Sequence, residues 1–390
     1  MKIRGRNEGT IRKRADGRWE GRINLGWVDG KRVRKSVYAA SREEAAQLLS
    51  EFSTQRDQGL PVPHGHDTVA DFLMRWLEQV RPSVRPRTWE MYELYIRKHA
   101  IPGLKSLRLS ALRPEHVRKL LAAKLKAGAS PRSVTHLRTV LHTALQQAVD
   151  DKLLAWNPVS SAVKRPAAKD YKYTHLEIAE ARAFLEAAKG SRFEAAFTVA
   201  LSLGLRRGEI MGLRWSDIDL DSQTLRVEQT IAHLHAKVAG KAGYYVGEPK
   251  TKRSRRTLAL PDALIPMLRR QRVQQAETRL ASGTSWQDRG LVFTNRNGGP
   301  VDPGAMHEDF KVVLRRAGLP NMRLHDLRHS AASLLLAQGV ALRTIMELLG
   351  HSTIALTANT YGHLSREMVA DAAAKMDSGL FGTSLKPLGA

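Results

Sequence analysis

The chain has 390 residues, 63 of them Lys or Arg and 38 Asp or Glu, which gives a formal net charge of +25 and a sequence pI near 10.5. A length of this order favours two or three domains, at roughly 100–200 residues each. The positive excess points to a polyanionic partner, with an anionic membrane surface second. With no cysteine, disulfides, thiolate metal sites and thiol nucleophiles are excluded. The opening residues MKIRGRNEGTIRKR lack the apolar stretch of a signal peptide, and the longest apolar run, Ala195–Leu205, is too short to span a bilayer. A soluble cytoplasmic protein with no membrane partner is therefore expected.

Breaks at Pro61-Val62-Pro63-His64-Gly65-His66 and at Lys164-Arg165-Pro166-Ala167-Ala168-Lys169 have linker composition and suggest domains over 1–63, 64–170 and 171–390. These segments carry 14 basic and 8 acidic, 19 and 9, and 30 and 21 side chains, or net charges of +6, +10 and +9. No single tail holds the excess. Charge spread this way suits a protein that encloses a long polyanion better than one with a single basic arm.

The first segment reads as three short strands and a helix. Asp16-Gly17 and Asp29-Gly30 are hairpin signals, because glycine accepts the positive φ of such turns. Between them Trp19, Ile23 and Leu25 fall on one face and Arg18, Arg22 and Asn24 on the other; in the next strand Val33 and Val37 oppose Arg32 and Arg34. Ser41 with Glu44 forms a capping box that opens a helix to about Asp57. A small sheet with a basic face fits a DNA major groove, and Arg12, Lys13 and Arg14 stand beside it. Arg12, Lys13, Arg14, Arg18, Arg22, Arg32 and Arg34 are thus candidate DNA contacts, the alternative being a solvated outer face.

The second segment is helical throughout. Val69, Phe72, Leu73, Trp76, Leu77 and Val80 form one apolar stripe at helical spacing. Thr88 is expected to open a helix carrying Trp89, Tyr92 and Ile96. Pro114 stands at the first position of another, which Gly128 ends, and Ser130-Pro131 caps a fourth with Val134, Leu137, Leu141, Ala144, Leu145 and Ala148 inward. The aromatics read as core. Arg132 and Arg138 lie off the inward stripe and, with Arg87, join the candidate DNA contacts.

The third segment is mixed. Thr174 with Glu177 reads as a capping box for a helix to about Lys189, and a second helix spans about 192–203. Strands are expected at about 224–231, 244–248 and 256–260, then helices interrupted at Gly318, Gly339 and Gly350.

Five features of this segment carry chemistry. Leu203-Gly204-Leu205-Arg206-Arg207-Gly208-Glu209 puts an arginine at the end of an apolar helix, which on its own is an ordinary C-terminal cation. Glu248-Pro249-Lys250-Thr251-Lys252-Arg253-Ser254-Arg255-Arg256-Thr257 holds five cations among ten residues at a strand–turn–strand tip. His325 and Arg328, three apart, share a helix face. His351 sits in a turn between Gly350 and Ser352, and Thr360-Tyr361-Gly362-His363 lies ten residues beyond it.

Taken together, Gly-Leu-Arg-x-Gly-Glu, Pro-Lys-Thr, His-x-x-Arg, Leu-Gly-His-Ser and Asn-Thr-Tyr-Gly-His resemble the motifs of tyrosine recombinases of the phage-integrase type. Singly each motif is weak; five in order across about 160 residues are not. The second segment resembles that family's core-binding, SAM-like helical domain, and the first its small arm-binding domain. The resemblance implies a multidomain fold: a small N-terminal β-sheet with one helix, an all-α bundle, and a mainly α catalytic domain with a small antiparallel sheet. Residue by residue it makes Arg206, Lys250, His325, Arg328 and His351 catalytic, Tyr361 the nucleophile, and Glu209 the acid that supports the site. Lys252, two residues along the same tip, is the alternative to Lys250.

The residue types suit the reaction. A phenol with a pKa near 10 is ionised in only about one molecule in a thousand at neutral pH, and closing that gap corresponds to about 4 kcal/mol. Two guanidinium forks on the non-bridging phosphate oxygens would stabilise the added charge, so no metal and no cofactor is expected. The family reaction implies a 3′-phosphotyrosyl intermediate with a free 5′-hydroxyl, religation without ATP, and strand exchange through a four-way junction. It also implies double-stranded DNA with core-type and arm-type sites as partner, a homotetramer on DNA, and an excisionase and a DNA-bending helper in the cytoplasm of a bacterial host, at the nucleoid. An apolar stripe of Met368, Val369, Ala372 and Met376 near the C-terminus would dock in its own domain or on a neighbour. Rival readings are a type IB topoisomerase and a catalytically idle architectural DNA-binding protein; the first lacks two-site synapsis, and the second has no need of both arginines, both histidines and Tyr361 together.

Overall fold

The computed structural model describes residues 9–28, 31–57, 67–159, 163–167, 174–234, 243–249 and 252–350. The backbone divides into two compact units, Met1–Asp170 and Tyr171–Ala390.

In the first unit, strands β1 (Thr10–Lys13), β2 (Trp19–Val28) and β3 (Lys31–Ala39) form an antiparallel sheet in that order. The β1–β2 turn closes at Gly17, with φ of 82°, whose N–H donates to the Arg14 carbonyl at 3.1 Å. Asp29-Gly30, the other expected turn, lies outside the described residues. Alternation along β2 holds through Ile23, buried with Val37 and Leu49, and a register shift between Asn24 and Gly26 then interrupts it. Helix α1 (Arg42–Asp57) starts as expected: the Glu44 N–H donates to Ser41 Oγ at 3.1 Å, while the Glu44 carboxylate accepts from the Ala40 N–H.

The bundle follows with its own core. Its helices are α2 (Val69–Val80), α3 (Pro86–Leu94), α4 (Ile101–Leu104), α5 (Pro114–Lys126) and α6 (Pro131–Asp150), with a π-helical turn over Tyr95–Ala100 between α3 and α4. Thr68 and Asp71 cap α2 reciprocally. α3 begins at Pro86, two residues before the expected Thr88, because proline at a first position brings the helical φ and loses no needed donor. The aromatics are core: the Trp89 indole donates to the Leu77 carbonyl at 2.9 Å, and Trp76 packs on Tyr92 with ring centroids 5.2 Å apart.

The second unit is built around α7 (Ile178–Ala188), α8 (Glu194–Leu203), α10 (Leu264–Ser282) and α11 (Pro303–Arg316), with the short α9 (Arg207–Gly212) after α8. Phe184, Phe197 and Phe310 meet at its centre with centroids 5.7–6.0 Å apart. α7 departs from expectation at its start. Glu177, not Thr174, is the N-cap, paired with Glu180, because the Leu176 N–H is held by Ser330 Oγ at 3.0 Å and the preceding chain stays extended. The expected strand over 224–231 is two strands. β4 (Ile218–Asp219), β5 (Thr224–Val227) and β8 (Arg256–Ala259) make one sheet, and β6 (Thr230–His233) pairs with β7 (Tyr244–Gly247) in another. The break falls at Gln229, whose side-chain amide donates to the Gly212 carbonyl of α9 at 2.8 Å and draws the chain off β8. Helices α12 (Asp326–Ala337) and α13 (Leu342–Leu349) complete the described part, and α13 stops at Gly350 as its sequence suggested. Among the described residues no helix is long and apolar enough to cross a membrane.

Candidate active site

α8 is buried along almost its whole length, so the residue that follows it emerges from the core at a fixed point. Gly204 ends the helix with φ of 60°, and a Cβ there would lie 2.3 Å from Leu349 Cδ2; glycine lets the α8 turn and the end of α13 touch without displacing Leu349. Two residues on, Arg206 is the N-cap of α9. Its N–H donates to Glu209 Oε2 at 3.0 Å and its Nη1 to Glu209 Oε1 at 2.7 Å, so one carboxylate sets both the backbone and the guanidinium.

The Glu209 side chain is 1% exposed and Arg206 35%. A second guanidinium, Arg256 on β8, donates to Glu209 Oε2 at 3.1 Å and is itself only 7% exposed. Burial pushes the Glu209 carboxyl upward, but the Arg256 charge and hydrogen bond, followed by Arg206, outweigh it and hold the group below its ordinary value. The carboxylate is therefore charged at neutral pH and each of its oxygens is occupied.

Arg328 lies in the first turn of α12 and is buried. Its Nη1 donates to the Gly204 carbonyl at 2.6 Å and its Nη2 to the Leu349 carbonyl. The start of α12 is fixed by Asp326, fully buried and gripped by Arg323, whose Nη2 approaches Oδ1 at 2.7 Å and whose N–H donates to Oδ2 at 2.8 Å. His325, one residue before the helix, packs edge-on against His329 with ring centroids 5.2 Å apart. Burial, then the Arg328 charge, lowers the pKa of His325, and burial with His325 lowers His329 to about 4. Both rings are neutral at pH 7, so His325 is available to accept a proton.

The three arginines converge on one object. α13 ends with carbonyls that have no partner within the helix, where the helix dipole is negative. Arg256 Nε donates to the Leu348 carbonyl at 2.6 Å, Arg328 to Leu349, and Arg206 Nη2 to Gly350 at 3.2 Å.

Arg206, Glu209, His325 and Arg328 are thus brought together, while Lys250, His351 and Tyr361 lie outside the described residues, as does the stripe over Met368–Met376. Arg256 was not singled out from sequence, although its signal was present: Arg256, Leu258 and Leu260 share one face by strand alternation, and both leucines are buried. Among the described residues no group of His, Asp or Glu is arranged to hold a metal ion.

The cations suggested for DNA contact fare differently. Arg12 and Arg22 pair with the buried Glu20 at 2.7 and 3.0 Å, Arg14 lies 3.8 Å from the same carboxylate, and Arg18 pairs with Asp16 at 2.8 Å. Arg14 and Arg18 also stack over exposed Tyr38. Lys13, Arg34 and Arg132 are exposed, and Arg87 pairs with Glu90. The side chain of Arg32 lies outside the described residues. Arg138, expected off the inward stripe, is a correction: it is buried, with Nε donating to the Val163 carbonyl at 2.6 Å and Nη2 to Val159 at 3.2 Å, so it ties the chain after α6 to the bundle.

Comparison with known proteins adds to this geometry. The model of the phage integrase family matches residues 174–368, and that of the phage integrase N-terminal SAM-like domain matches 68–125. A tyrosine recombinase XerC-like protein of Caldanaerobacter subterraneus subsp. tengcongensis is 34% identical over 349 residues, covering 86% of this chain and 89% of the relative. An integrase of Streptomyces ambofaciens is 32% identical over 368 residues, covering 93% and 94%. Among solved structures, the Tn1549 transposon integrase in complex with a circular intermediate DNA has a TM-score of 0.65 at 19% identity, covering 80% of this chain and 100% of that one. A lambda integrase tetramer bound to a Holliday junction has a TM-score of 0.56 at 18% identity, covering 93% and 99%. At these identities the solved structures establish a shared fold: mainly helical, multidomain, with small antiparallel sheets.

Proposed function

The chain belongs to the phage integrase family of tyrosine recombinases, and from that premise we propose that it integrates and excises a mobile element by cutting and rejoining DNA at paired attachment sites. The observation that carries this reading is the pair of guanidiniums, Arg206 and Arg328, donating to adjacent carbonyls at the end of α13, with Arg206 set by the charged, buried Glu209. The same forks, turned to a phosphodiester, neutralise the charge that develops on its non-bridging oxygens.

The Tyr361 oxygen attacks phosphorus and forms a 3′-phosphotyrosyl bond as the bond to the 5′ oxygen breaks. Lys250 gives its proton to that leaving oxygen, His325 takes the proton of the tyrosine hydroxyl, and His351 donates a hydrogen bond to the phosphate. The intermediate keeps the energy of the original bond, so a second 5′-hydroxyl reverses the step on another strand without ATP. The function divides along the chain: residues 1–63 bind arm-type sites, 64–170 the core-type site, and 171–390 cut and rejoin. Four copies act on two duplexes, with an excisionase and a DNA-bending helper setting direction, in a bacterial cell at the nucleoid. The relatives are recombinases and integrases by name, which disfavours topoisomerase and idle-binding readings.

The test is a nicked core-site suicide substrate. Wild-type protein should form an adduct with DNA that survives denaturation, unaffected by a chelator, and Tyr361→Phe should form none. An adduct of full yield in Tyr361→Phe would refute the assignment. Deleting residues 1–63 should weaken arm-site binding and leave the core-site adduct intact.

A further inference from the structure

We propose that Arg256 is a positioning residue of the cleavage reaction, clamping the end of α13 to the carboxylate that sets Arg206. This inference rests on the recombinase reading above.

Arg256 is placed where a sheet residue has no folding need of a charge. On β8 it shares the inward face with Leu258, and its guanidinium is almost fully buried. Each nitrogen is committed: Nε to the Leu348 carbonyl at 2.6 Å, Nη1 to the Ser254 carbonyl at 3.0 Å, and Nη2 to Glu209 Oε2 at 3.1 Å. One planar group therefore joins three elements: the β8 approach, the first turn of α9 and the last turn of α13. A lysine has the charge but cannot direct bonds in three fixed, coplanar directions.

The consequence runs through Glu209. Its two oxygens are divided between Arg206 and Arg256, and the same Oε2 that accepts from Arg256 accepts the Arg206 N–H. Without Arg256, a buried carboxylate keeps one charged partner, and either pulls Arg206 further inward or takes up a proton. Both displace the fork that must meet phosphate. The other contact reaches the end of α13: Arg256 holds Leu348 beside the Arg328 and Arg206 contacts to Leu349 and Gly350, so three consecutive carbonyls are fixed by three guanidiniums. The charged groups that act on Glu209 are Arg256 on β8 and Arg206 at the N-cap of its own helix, and His325, just before α12, feels Arg328, Asp326, Arg323 and Arg206.

The experiment compares full-length wild type, Arg256→Met, Arg256→Lys and the double variant Glu209→Gln/Arg256→Met. The readouts are melting temperature, core-site DNA affinity, and single-turnover formation of the covalent adduct from pH 5 to 9. Arg256→Met should bind core DNA within a few-fold of wild type and cleave about 100-fold more slowly, the scale of a small misplacement of a catalytic group. Its acid limb should also move to higher pH, because Glu209 loses the partner that most opposes its burial. Glu209→Gln/Arg256→Met should lose that shift, since the titrating group is gone. Arg256→Lys should fold and still cleave at least several-fold below wild type. A wild-type rate in Arg256→Lys overturns the inference, as does an unshifted acid limb in a folded Arg256→Met. If wild type itself forms no adduct, the recombinase reading fails, and that result is distinct from either outcome.

Discussion

Replacing Gly204 with alanine tests the contact on which the arginine geometry depends. A Cβ at this position would lie 2.3 Å from Leu349 Cδ2 and 3.5 Å from Ala331 Cβ, on a backbone with φ of 60°. Left-handed backbone costs an alanine about 1–2 kcal/mol. Forcing a methyl group into filled space costs about 1–3 kcal/mol more. Gly318 supplies the control, with φ of 67° and nothing within 4 Å of its built Cβ, so Gly318→Ala carries the backbone cost alone. The difference between the two variants is then about 1–3 kcal/mol, or roughly 5- to 150-fold in an opening equilibrium. Hydrogen exchange of the full-length protein, read at the most protected amides of the second unit, measures it directly. The clash also falls on Leu349, whose carbonyl accepts from Arg328, and Gly204 itself supplies the other carbonyl of that guanidinium. Adduct formation in Gly204→Ala should therefore fall by more than its core-DNA affinity does. Equal protection in Gly204→Ala and Gly318→Ala would refute the argument, because it would mean that Leu349 gives way to the added methyl without cost.

Three further variants test the same structure. His329 is held to about 4 by burial and by His325, below its ordinary 6.5; the unfolded chain takes up this proton at higher pH than the folded one, so stability should decline from about pH 6.5 to about pH 4 and show no further loss from this group below that. His329→Gln should have a shallower decline of melting temperature over the same window, and a slope equal to wild type would contradict it. In the bundle, Arg138→Met should destabilise by about 1–3 kcal/mol, since the Val159 and Val163 carbonyls lose their donor. Arg132→Ala, at an exposed site, should change stability by less than about 0.5 kcal/mol. If Arg132 contacts phosphate, its loss should lower the salt slope of core-site binding by about one; a stable Arg138→Met with a reduced salt slope would reverse these assignments.

Much of the architecture was legible in residue order because it rests on local rules. The α2 stripe, the Ser41–Glu44 and Ser130 caps, and the glycine stops at 318, 339 and 350 each depend on side chains within one or two turns. The local rules failed where a distant group intervened. Thr174 and Glu177 have the spacing of a capping box, yet Ser330 on α12 holds the Leu176 amide and moves the helix start to Ile178. The one strand expected over 224–231 became two because Gln229 is bound to α9. Arg138 looked peripheral on a helical wheel, and only the chain returning after α6 made its position interior.

At the site, the spacing of His325 and Arg328 and of Arg206 and Glu209 could be read directly, since three residues along a helix or across its cap bring side chains to one side. That these two pairs belong to one centre was a matter of motif resemblance alone, because nothing in the spacing of residues 206 and 328 states that they meet. Folding decided it by stacking the end of α13 on the α8 turn, so that Arg256, Arg328 and Arg206 reach the carbonyls of Leu348, Leu349 and Gly350 in succession. A chain of amino acids specifies which groups can donate and accept; which of the distant ones become neighbours is settled only when buried surfaces pack and every interior charge must find a partner.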